Sequence, residues 1–108
     1  MSDESIRKTV VRYIEELEKK SIPVEQAVLF GSYVNGTHDK FSDIDLLIIS
    51  PRFDDMKNRD DINILWKTAA IIDSRIEPVP CGVRQWEEDD FTTIIEIARR
   101  EGLIITAA

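Results

Sequence analysis

At 108 residues the chain has room for one hydrophobic core and not for two, so a single domain over 1–108 is expected. Hydrophobic residues at 43% and charged residues at 32% fit a globular domain, and no apolar run reaches the roughly 18 residues that a membrane helix needs. The net charge of −7 excludes an extended nucleic-acid surface, which requires a basic stripe, but not a nucleotide held by a few cations.

The opening residues MSDESIRK lack the apolar stretch of a signal peptide, and the lone Cys81 has no internal disulfide partner. Both fit a cytoplasmic location. With one Cys and one His, a zinc site built on those residues is excluded.

Residues 3–20 follow the helical period through Ile6, Val10, Tyr13, Ile14 and Leu17. Ser2 or Asp3 can cap this helix, Asp3 and Glu4 suit its positive end, Lys19 and Lys20 the other, and Pro23 is the expected stop. Its apolar face reads as core, with partner docking the lesser alternative. A first strand is expected over 26–30. A helical turn follows over 32–35, closed by Gly36, and then a polar loop with His38, Asp39 and Lys40.

The second strand, 43–49, runs through Leu46, Leu47, Ile48 and Ile49, an apolar stretch that predicts burial on both faces. Pro51 ends it. Residues 51–61 form a charged loop in which Arg59 is the preferred cation to reach a triphosphate, against the plainer reading of a solvated loop. Asp60 or Asp61 would cap a helix to Ile72 with Ile62, Leu65, Trp66 and Ala69 on one face, Trp66 being core or interface rather than a base-stacking platform.

A third strand is expected over 75–79, placed at a sheet edge or strand end by Pro78 and Pro80. Glu77 is an acid in an apolar strand and needs a reason to be there. Cys81-Gly82 reads as a turn with a small buried thiol. The acidic run Glu87, Glu88, Asp89 and Asp90 reads as a solvated helix start, with docking of a basic partner as the alternative. Phe91, Ile94, Ile95 and Ala98 would face inward from a helix over 91–100 that ends at Gly102. Leu103, Ile104 and Ile105 form a short last strand or packed tail.

The chemistry concentrates in 29–50. A strand ending in Gly31-Ser32 lets backbone approach a ligand, and the turn after it offers N–H groups and a hydroxyl to a phosphate. Asp43 and Asp45 are two apart on a strand, so their carboxylates share a face and repel unless a cation lies between them. Hard oxygen ligands beside phosphate imply Mg²⁺. The bland alternative is a solvated strand start with an Asp turn. Ten residues separate Ser32 from Asp43, and it is this combination, rather than either half, that carries the reading of a nucleotide-handling site.

Gly31-Ser32, ten residues, then Asp43-Ile44-Asp45 resembles the signature of the polymerase-β-type nucleotidyltransferase superfamily, and the short chain is similar to its minimal nucleotidyltransferases. The resemblance implies an α/β (α+β) fold, a small mixed sheet flanked by helices. It implies two Mg²⁺ ions on Asp43 and Asp45, and ATP lying over Gly31 and Ser32. It also implies a third carboxylate on the next strand, where Glu77 falls. That residue is often Asp in the superfamily, so Glu77 is a departure; Asp73 is the alternative.

Minimal members resemble the antitoxin half of toxin–antitoxin pairs. That implies AMP transfer to a hydroxyl, a tyrosine of a HEPN-type RNase toxin. Two rivals stand beside it: a nucleotide- or partner-binding module without turnover, and a transferase acting on a small molecule. A P-loop NTPase is excluded because no Gly-Lys-Ser/Thr is present. Apolar helix faces in so small a domain would also suit a homo-oligomer.

Overall fold

Alternation along one strand sets the layout. In β2 (Ile44–Ile49), Ile44, Leu46 and Ile48 turn to one side of the sheet, and Asp45, Leu47 and Ile49 to the other. Both sides are covered, so the strand has no solvent face, and its apolar run follows from that. A computed structural model describes residues 3–37, 42–55, 57–90 and 92–107. Ser2, His38, Asp39, Lys40 and Phe91, and the side chains of Asp3 and Glu4, lie outside what is described.

The sheet has four strands in the order β3-β2-β1-β4. Strand β1 (Gln26–Phe30) pairs antiparallel with β2 and with β4 (Leu103–Ile105), and β3 (Ile76–Cys81) pairs parallel with β2. The mixed α+β architecture is therefore the expected one. The parallel pair requires a crossover, supplied by α3 (Arg59–Ile72). This helix and α1 (Asp3–Lys19) cover one face; α5 (Thr93–Glu101) covers the other, where Ile95 and Ala98 meet Val28, Leu47 and Ile49. Two short helices, α2 (Ser32–Asn35) and α4 (Val83–Glu88), and a 3₁₀ turn over Pro51–Phe53 complete the order.

Helix α1 buries the periodic residues as expected: Ile6, Val10, Tyr13, Ile14 and Leu17 are all within the core. Full burial of such side chains contributes about 1.5–3 kcal/mol each. It stops before Pro23. Ser21 adopts φ 69, while the Ile22 and Ser21 N–H groups donate to the carbonyls of Leu17 and Glu18. That left-handed wrap satisfies the last helical carbonyls and tucks Ile22 under Leu17.

Several expectations need correction. Asn58, not Asp60 or Asp61, caps α3, its side chain accepting from the Asp60 N–H. Asp61 turns inward instead and accepts two bonds from the Arg52 guanidinium. Trp66 is not core: it is 48% exposed on the outer side of α3, since the inward stripe runs through Leu65, Thr68 and Ala69. Ile94 is likewise outward. The acidic run does not start a helix. It ends α4 and passes into a turn in which Asp89 accepts from the Thr92 N–H and hydroxyl. Strand β3 extends through Cys81 rather than turning there, and it is an edge strand, as its prolines required.

Candidate active site

The residues meet at the end of the sheet where β2 begins. Asp43 lies just before the strand and is exposed; Asp45 is its second residue and is half-buried. The parallel register sets Asp45 beside Glu77, and the antiparallel register sets Asp45 opposite Phe30. Equal register on neighbouring strands turns Asp45 and Glu77 to the same face, roughly 5 Å apart by strand spacing. Asp73, the other candidate, is the C-cap of α3, and its carboxylate is engaged by Arg75.

Gly31 stands against this acid pair. Its backbone is at φ 81 and ψ −148, a conformation that suits glycine almost alone. A Cβ there would lie 2.3 Å from Asp45 Oδ2. Glycine is thus required twice, by the turn and by the carboxylate packed on it. Ser32 opens α2 from this turn, and Gly36 closes α2 in the left-handed region.

Burial acts first on Asp45 and Glu77, and the acids around them second. Burial lifts Asp45 above the usual carboxylate range; a hydrogen bond with Glu77 opposes the rise and the charge of Asp43 adds to it. Glu77 is raised by burial first, then by the charges of Asp43 and Asp45 and by hydrogen bonding to both. The three acids thus interact directly. Among the described residues no group of three or more His, Cys, Asp or Glu side chains is arranged to hold a metal ion. The donor chemistry still fits one: three hard oxygen donors, two of them with raised proton affinity, are what a divalent cation relieves.

Arg59 is not brought to this site. Arg52 follows the far end of β2 and pairs with Asp61, two residues from Arg59 in the first turn of α3. That places Arg59 at the opposite end of the strand from Asp45. Cys81 is buried, and burial pushes its thiol up to about 11, so it stays protonated and is no nucleophile. A cleft of about 230 Å³ opens beside α2, lined by Ile6, Leu29, Tyr33, Val34 and Leu103 among others, and touches none of the three acids.

Two residues at the site escaped the sequence reading. Arg75 holds Asp73 through its backbone N–H, Nε and Nη2, and donates from Nη1 to the Tyr33 hydroxyl at 2.9 Å. Its carbonyl accepts from the Ile44 N–H at 2.7 Å, between the two aspartates. Nothing in sequence could pair Tyr33 with a residue 42 positions away.

A parallel β2–β3 pair joined by a helix, with β1 antiparallel beside it and a glycine turn facing the strand-end acids, is the layout of a nucleotidyltransferase fold. The nucleotidyltransferase domain family matches residues 9–104, and the chain belongs to that family. Three solved structures share the fold. A toxin–antitoxin structure with AMP-PNP has TM-score 0.60 and 24% identity, over 91% of this chain and 73% of the other. A proposed nucleotidyltransferase from Sulfolobus solfataricus has TM-score 0.61 and 17% identity, over 91% and 77%. A mutant of the toxin–antitoxin MntA-HpeT, with two aspartates two positions apart replaced by glutamate, has TM-score 0.58 and 20% identity, over 91% and 73%. No curated protein matches the chain. No helix among the described residues is long and apolar enough to cross a membrane.

Proposed function

We propose that this minimal domain transfers AMP from ATP to a hydroxyl, a tyrosine of a HEPN-type toxin, and so acts in the cytoplasm as that toxin's antitoxin. The observation that carries the reading is the register of Asp45 and Glu77 on adjacent parallel strands, with Asp43 beside them and Gly31 against Asp45. Family membership supports the reaction class, and the two toxin–antitoxin neighbours support the kind of partner.

Asp43, Asp45 and Glu77 would hold two Mg²⁺ ions. Bound there, the ions supply charge neutralisation for the phosphates and lower the proton affinity of the acceptor hydroxyl. The rest falls to the chain. Gly31, without a side chain, lets the triphosphate come close to the backbone, and Ser32 offers its hydroxyl and N–H to phosphate oxygen. The acceptor oxygen attacks the α-phosphorus, the bond to the pyrophosphate oxygen breaks, and Glu77, or another base, takes the hydroxyl proton. The products are an AMP ester and pyrophosphate.

The test uses labelled ATP, Mg²⁺ and the candidate toxin, with Asp43→Asn/Asp45→Asn as control. The expected result is one AMP mass gained by the toxin and absent in the control. Tight toxin binding without mass gain would favour a module that does no chemistry. Pyrophosphate release with a small hydroxyl compound, and none with the toxin, would move the acceptor class to small molecules.

A further inference from the structure

We infer that Arg75 is a positioning residue for the nucleotide site, acting through Tyr33; the inference rests on the nucleotidyl-transfer reading above. The argument is a closed ring of contacts. Asp45 packs its carboxylate on Gly31. Gly31 leads through Ser32 to Tyr33, and the Gly31 carbonyl accepts from the Val34 N–H at 3.0 Å. Tyr33 is 7% exposed, and its hydroxyl takes the 2.9 Å bond from Arg75 Nη1. The Arg75 carbonyl then takes the N–H of Ile44, the residue between Asp43 and Asp45. The ring ties the glycine turn to the strand that carries Asp45.

Arg75 is fitted to this task by its own restraint. Asp73 holds the guanidinium through two side-chain bonds of 3.0 and 2.6 Å, leaving Nη1 aimed at α2. A lysine could keep the charge but not both the fork on Asp73 and the reach to Tyr33. This bond ties four-residue α2 to the turn before β3. Loosening it would leave the fold standing and shift the glycine turn against the acids. Misplacements of that kind cost catalysis far more than stability.

The experiment compares wild type, Tyr33→Phe, Arg75→Lys and the double variant by Mg²⁺- and toxin-dependent pyrophosphate release, with thermal midpoints alongside. Tyr33→Phe removes one oxygen and keeps the buried ring. Expected is a kcat lower by about tenfold or more in each single variant, with KM for the toxin unchanged and the midpoint lowered by only a few degrees. The double variant should be no worse than the poorer single one, because both break one link. Wild-type kcat in both single variants, or losses that multiply in the double, overturns the positioning role and leaves nucleotidyl transfer intact. A wild type that releases no pyrophosphate overturns both.

Discussion

At the residue scale the decisive position is Gly31. An added methyl group would meet Asp45 Oδ2 and would also have to adopt a left-handed backbone that L side chains rarely take. Gly31→Ala should therefore destabilise the protein by about 1–3 kcal/mol and displace the Asp45 carboxylate. Thermal unfolding and Mg²⁺-dependent pyrophosphate release, measured together, check this. A variant with the wild-type midpoint would mean that the turn relaxes freely. The meeting of Gly31, Asp43 and Asp45 was legible in sequence from their combined spacing, though neither half alone would have carried it. Glu77 was legible as a charge in an apolar strand. Arg75 and Tyr33 were not, since an arginine beside an aspartate in a turn has a sufficient local explanation.

At the element scale, α3 shows how a helix start can mislead. Asp60 and Asp61 were the expected caps. Asn58 takes the role, which frees Asp61 to turn inward. There Asp61 is 5% exposed and its charge is met by Arg52 from the turn after β2. This pair fixes the crossover where it leaves the sheet. Arg52→Ala would strand a buried carboxylate and should cost about 1–3 kcal/mol. Asp61→Asn removes the charge and keeps the shape, and should cost less. Urea unfolding of the two variants checks the order, and the reverse order would show that Arg52 acts through packing alone. Trp66, expected in the core or at an interface, lies outside the core, and Ile94 turns outward, for a related reason: period alone leaves the centre of a helix's inward stripe uncertain by one position.

At the scale of the whole molecule, stability should depend on acid through Asp73. The Arg75 guanidinium holds its carboxyl below the usual range, against a smaller opposing effect of burial. A depressed carboxylate stabilises the fold above its unfolded value and loses that contribution as pH falls through its folded one. Wild type should thus exceed Asp73→Asn in midpoint at pH 7, and the gap should close as pH falls below about 4. A gap that persists at pH 2 would show that the carboxylate charge is not what matters. The mixed sheet was legible only in part. Strand positions followed from alternation and prolines, but the parallel pairing of β2 with β3 depends on how α3 crosses back, which no local pattern states.

That pairing leaves a particular rim on the sheet. The carbonyls of Arg75 and Cys81 turn toward β2, so by alternation residues 76, 78 and 80 turn their backbones outward. Ile76 already gives its N–H to the Asp73 carbonyl, and Pro78 and Pro80 have none to give. The β3 rim is therefore bare of hydrogen donors along its length, while the β4 rim at Leu103 and Ile104 is apolar and partly exposed. A fibril grown by strand addition needs two adhesive ends on every copy. The β3 rim, with no N–H to offer at residues 76, 78 and 80, blocks that growth on one side.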